Sequence, residues 1–257
     1  MGEFTAALED AMSGQGRLVM LVGEPGIGKS RAAQEIGAYA ELRGSRVLWG
    51  RCYEEQGTPA YWPWIQAIRT YVREQDAESI RAAMGPGASD IAAIVPELRD
   101  KLPDLEPPPD LEPEQARFRL FDSITTFFRN SARTQPLVII LDDLHWADPA
   151  SLLLLEFVAR EMADCQLLMV GTYRDVELSR SHPLSETLGG LARERLFQRI
   201  PLRGLDPRDL ELLIEATADI ALSASFAEAV YSHTDGNPFF AIEVIRALRE
   251  EGELTPE

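Results

Sequence analysis

Residues 18–30 run from an apolar stretch, Leu18 to Val22, directly into Gly23-Glu24-Pro25-Gly26-Ile27-Gly28-Lys29-Ser30, and a helical pattern follows at 31–42. The octapeptide fits G-x-x-x-x-G-K-[ST], the loop that cradles a phosphate chain, at every fixed position. This chemistry constrains the backbone severely. N–H groups must wrap the anion, Cβ atoms at the tight points would block them, and Gly23, Gly26 and Gly28 carry none. The helix that follows turns its positive end on the phosphates. Residues 23–31, including Glu24, Pro25, Ile27 and Arg31, are therefore expected to hold a nucleotide's phosphates. Lys29 would reach the β- and γ-phosphates as a catalytic cation, and the Ser30 hydroxyl would ligate Mg2+. A chance glycine turn is the competing explanation, and a strand before and a helix after disfavour it.

A second segment, 137–148, reads LVIILDDLHWAD, an apolar run ending in two carboxylates. An all-apolar strand suits a parallel sheet buried on both faces, and ligands of such sheets sit at the strands' carboxyl ends. Asp142 is expected to hold Mg2+ through water, and Asp143 to orient or deprotonate an attacking water.

Further strand patterns at 17–22, 46–52, 166–172 and 197–202 alternate with helical ones, which predicts crossover units and an α/β fold. The expected core is a five-stranded, mostly parallel P-loop sheet flanked by helices over 1–204, interrupted by a helical insertion at about 53–134. The insertion holds Tyr61-Trp62-Pro63-Trp64-Ile65, two short helical patterns, a proline-rich stretch at 103–113 and a long helix at 114–133. The aromatic cluster reads as an anchor on the sheet rather than a partner patch, because Trp and Tyr bury large areas where a core exists. The prolines read as a stiff connector. From 205 to 257 the pattern is helical (206–220, 223–232, 238–250), a small lid domain. Asp148-Pro149 and Asp206-Pro207 punctuate helix starts, and Gly44 a helix end. Both ends of the sequence read as cut points in something larger.

If strand 166–172 lies between the phosphate-loop strand and the Asp142 strand, Arg174 at its end comes near the γ-phosphate. Locally, His233 to Phe240 reads as a helix–helix turn, with Gly236 ending one helix and Pro238 starting the next. His145 and His182 are read as isolated structural or surface residues without metal spacing.

The formal charge of −17 argues against a nucleic-acid-binding surface on this segment. Cys52 and Cys165 are expected to be free, buried thiols, and no apolar run approaches a membrane span. The expected location is cytoplasmic.

With these elements together, the chain resembles the STAND class of P-loop ATPases, and more narrowly the predicted-ATPase module of large LuxR-type transcription regulators. GEPGIGKSR (23–31), ILDDLHWADPASL (140–152), GTYRD (171–175) and DGNPFF (235–240) carry the resemblance, with Tyr-Trp-Pro-Trp after GRCYE (50–54). The resemblance implies ATP/ADP lying between core and lid, and contact to it from Gly236 and Pro238. It also implies a sensor role for Arg174 and a slow ATPase switch that self-associates in the ATP state and signals through attached domains. Met1-Gly2-Glu3-Phe4 stands where the family carries a base-capping Gly-Arg-Glu segment, and a winged helix is expected beyond Glu250. A non-catalytic ADP/ATP-binding module and an AAA+ motor or loader are the alternatives; a small-molecule kinase lacks an acceptor motif.

Overall fold

The computed structural model describes residues 2–54, 57–218 and 224–251. Its strands β1 (Arg17–Val22), β2 (Arg46–Arg51), β3 (Leu137–Asp142), β4 (Leu167–Tyr173) and β5 (Phe197–Pro201) form one sheet in the order β2-β3-β4-β1-β5. All four neighbouring pairs are parallel, so the sheet expected to be mostly parallel is wholly so among the described residues. β4 lies between β1 and β3, as the reading of Arg174 required.

Alternation along the strands sends side chains to two cores. On one face, α1 (Gly2–Met12) and α2 (Lys29–Leu42) bury Leu8 and Ile36 against Val19, Leu21, Ile140 and Val170. The other face meets the insertion: α3 (Trp62–Glu74), α4 (Ala77–Met84), the single turns α5 (Ala88–Ile91) and α6 (Leu98–Lys101), and α7 (Pro113–Thr134). With α8 (Pro149–Glu161) and α9 (Pro183–Leu191) these cover Leu18, Met20, Leu48, Ile139 and Met169. Each such fully buried aliphatic contributes about 1.5–3 kcal/mol. A third, smaller core of Leu210, Ile214, Val230, Ala241 and Ile245 joins α10 (Pro207–Ala218), α11 (Ala224–Thr234) and α12 (Pro238–Glu250).

The insertion departs from expectation in holding four helices before α7 rather than two. Gly85-Pro86-Gly87, a 3-10 turn, and Pro96 interrupt what would otherwise continue. Residues 103–112 carry no helix or strand, and Pro113 opens α7 as a first-turn proline. The aromatic cluster is an anchor: Trp64 is fully buried and its indole N–H donates to Ser151 O at 3.1 Å. A glycine is required opposite it, because a Cβ on Gly50 would stand 2.0 Å from Pro63 O. Four boundaries in three strands move by one residue, with β2 ending at Arg51, β4 spanning Leu167–Tyr173 and β5 ending at Pro201. α2 begins at Lys29, two residues early, since Gly28 makes the turn at φ 98°. Both cysteines are free and buried. Residues 219–223 and 252–257, on which parts of two expected helices and the polar end fall, lie outside the described residues.

Candidate functional site

The carboxyl ends of β1, β3 and β4 and the start of α2 converge on one region. Between β1 and α2, residues 23–28 turn sharply, with Gly26 at φ 78° and Gly28 at φ 98°. The N-terminus of α2 has no side-chain cap, so its first N–H groups remain a ready anion site. Lys29 is buried and donates from Nζ to Gly23 O and Glu24 O, both at 2.8 Å. Burial, then the nearby Arg174 guanidinium, lowers its pKa, opposed by the carboxylates of Asp143, Asp175 and Asp142. Ile27 is buried while Glu24 and Pro25 are exposed. The Arg31 side chain points away to pair with Glu35, so only its backbone belongs to the loop.

Asp142 ends β3 and is 4% exposed. Its Oδ1 accepts from Ser30 Oγ at 2.9 Å and from Thr172 Oγ1 at 2.6 Å. Thus the two residues expected at a metal are in contact, joined by a β4 hydroxyl. Asp143 follows in the left-handed region (φ 61°, ψ 45°), a backbone state uncommon for a residue with a Cβ. Its N–H donates to Thr172 Oγ1 at 2.9 Å, which fixes that turn. Thr172 therefore holds the Asp142 carboxylate and the Asp143 backbone through one hydroxyl.

Arg51 is the register partner of Asp142 across β2 and β3. Its guanidinium reaches Asp143 Oδ2 at 3.2 Å and Asp142 Oδ2 at 3.8 Å. Arg174, at the end of β4, pairs with Glu177 at 2.6 Å and lies over the Trp146 ring, 5.0 Å from its centroid. His145 is not isolated: its side chain is wholly buried, with Nε2 3.4 Å from Glu177 Oε2 and 4.0 Å from Asp143 Oδ1. Burial lowers its pKa to about 4, so the ring is neutral at neutral pH. His182 is structural, its Nδ1 accepting the Leu184 N–H at the start of α9.

The turn between α11 and α12 reaches the phosphate loop. Gly236 (φ 73°) accepts from Leu205 N–H at 2.8 Å, and Pro238 is the first residue of α12. Between them Asn237 accepts the Phe239 N–H at 3.1 Å and donates to Pro25 O at 3.0 Å. Phe239 N–H also meets Gly26 O at 3.3 Å.

Sequence reasoning missed Arg51, Thr172, His145 and Asn237 as members of this region. Thr172 and Arg51 stand at strand carboxyl ends, a signal that was present. His145 and Asn237 gave none without the tertiary contacts.

Residues 1–170 match the family model described as AAA ATPase domain. An uncharacterized protein of Rhizobium meliloti (strain 1021) is 26% identical over 266 aligned residues, covering 95% of this chain and 24% of that protein. The chain thus spans about a quarter of that relative's length. Among solved structures, a STAND protein with a tetratricopeptide repeat sensor from Pyrococcus horikoshii superposes with a TM-score of 0.48 and 15% identity, over 91% of this chain and 28% of that one. A variant of Thermotoga maritima RuvB gives 0.49 and 18%, over 97% and 60%.

Proposed function

Because the chain belongs to the AAA ATPase domain family, which is one of nucleotide-binding proteins, we propose that it binds ATP and ADP with Mg2+ and slowly hydrolyses ATP as the switch of a larger signalling protein. The observation that carries this reading is the contact of Ser30 with Asp142, which brings the loop's hydroxyl and the β3 carboxylate to one point. These hard oxygen donors suit Mg2+, which binds through one or two carboxylates with water and substrate phosphates. When bound, Mg2+ would neutralise charge on the β- and γ-phosphate oxygens.

The loop N–H groups of residues 23–31 other than Pro25 and the start of α2 hold the phosphates, and Lys29 exchanges its two carbonyl partners for phosphate oxygens. Asp143 accepts a proton from the attacking water while the bond from the bridging oxygen to the γ-phosphorus breaks. Arg174 leaves Glu177 for the γ-phosphate. Residues 205–257 act as a lid, with Gly236 and Pro238 touching the nucleotide, and the ATP form self-associates to signal through attached domains in a cytoplasmic, LuxR-type regulatory setting.

A second reading, a module that holds ADP without turnover, draws support from Arg51, whose guanidinium occupies one oxygen of Asp143. One experiment separates them. The chain is titrated with a fluorescent ADP analogue and Mg2+, and phosphate release from ATP is followed, each beside Lys29→Ala. Saturable binding and release, both lost in the variant, support the switch. Binding without release, even at concentrations that drive self-association, favours the second reading, and no binding overturns both.

A further inference from the structure

Both ring nitrogens of His145 are buried and lack a hydrogen-bond partner among the described residues. A buried imidazole left so carries an uncompensated desolvation cost, so a small movement that supplies an acceptor is downhill. Two acceptors stand close, and both face the same atom. Nε2 is 3.4 Å from Glu177 Oε2 and 4.0 Å from Asp143 Oδ1. A neutral imidazole has a single N–H, so it can serve one carboxylate at a time.

The other ends of these carboxylates are held by arginines: Arg51 takes Asp143 Oδ2, and Arg174 takes Glu177 Oε1. The Trp146 ring lies tilted against the imidazole (centroids 4.5 Å apart) and carries Arg174 on its face, which restricts the imidazole to small shifts. Glu177 is the member with room to turn, since its side chain is 35% exposed against 7% for Asp143.

We propose that His145 is a positioning residue for Asp143, and that Glu177 competes for the same N–H. With Arg174 paired to Glu177, the imidazole serves Glu177. When a γ-phosphate draws Arg174 away, Glu177 turns to solvent and the N–H passes to Asp143 Oδ1. The carboxylate is then fixed from both sides, with Oδ2 on Arg51. This deepens the ATPase reading and rests on it.

The test has two arms. In the first, the nucleotide-free chain is labelled with 15N-histidine; His145, His182 and His233 give few resonances. The expected His145 signal is a neutral ring protonated at Nε2, displaced by Glu177→Gln. A ring protonated at Nδ1, or a signal unmoved by Glu177→Gln, overturns the proposal whatever the hydrolysis rate. In the second arm, single-turnover hydrolysis is measured with nucleotide affinity. His145→Phe should slow the step by about tenfold to a hundredfold, the usual range for a supporting hydrogen bond, and leave affinity unchanged. His145→Gln, which keeps an N–H near the Nε2 position, should restore most of the rate. An unchanged rate in folded His145→Phe overturns the proposal, as does equal loss of rate and affinity in both variants. A wild-type chain that gives the expected resonances and never hydrolyses ATP defeats the ATPase reading and leaves the His145–Glu177 contact standing.

Discussion

Asn237 Nδ2 donates to Pro25 O at 3.0 Å, tying the start of α12 to the tip of the phosphate loop across 212 residues of sequence. The same side chain, 3% exposed, caps α12 through its Oδ1. A loop that reshapes around phosphates must therefore carry this helix end with it or release it.

Asn237→Ala removes both bonds, and the expected destabilisation is about 1–3 kcal/mol. Asn237→Asp keeps an acceptor for the cap and loses only the donor, so its thermal midpoint should fall between Ala and wild type. Equal midpoints for all three chains in a melting experiment would remove the latch from the account.

Lys29→Ala and Asp143→Asn should separate binding from chemistry. The first deletes the buried cation of the loop and is expected to abolish both nucleotide binding and hydrolysis. The second leaves the loop intact, so affinity should hold while kcat drops by about a hundredfold or more. Parallel affinity and phosphate-release measurements check the split.

Thr172→Val keeps the shape of a wholly buried side chain and strips its hydroxyl. The Asp143 N–H and the Asp142 carboxylate both lose a partner. Leaving a buried donor unpaired costs about 1–3 kcal/mol, so the urea midpoint should fall, and Thr172→Ser should recover most of it.

Trp64→Ala empties the contact between the insertion and the sheet. Truncating a fully buried Trp costs about 3–5 kcal/mol. Trp64→Phe fills most of the space and forfeits the bond to Ser151 O, so chemical denaturation should place it between the two.

His145 makes stability fall in mild acid. Its pKa is about 4 when folded against an ordinary 6.5, so the unfolded chain binds the extra proton between those values. Stability from this residue is complete above about pH 6.5 and is lost as pH falls toward 4, by up to roughly 3 kcal/mol. Denaturation curves at pH 7 and pH 5 should differ less in His145→Gln than in the wild type.

The loop at 23–30 and the Asp142-Asp143 pair were legible because each is a local pattern whose chemistry tolerates few substitutes. A phosphate needs glycines at the tight turns, and a buried parallel strand needs an unbroken apolar run. The strands were legible for the same reason, with boundary errors of one residue at strand ends. The insertion was read too simply, since Gly85-Pro86-Gly87 breaks helices that propensity alone would merge.

By itself the sequence determined the α/β sheet, the anion loop and the identity of its lysine and hydroxyl, because these follow from backbone geometry within a few residues. Only the tertiary structure decided which groups surround the two aspartates. Arg51, His145 and the pair Thr172 and Glu177 come from three separate segments, and their meeting depends on strand order and register. The Asn237–Pro25 bond likewise exists only after a separate small core has brought α12 to the loop. A hydrogen bond forms between atoms near in space, and spacing along the chain carries no trace of it when a whole sheet lies between.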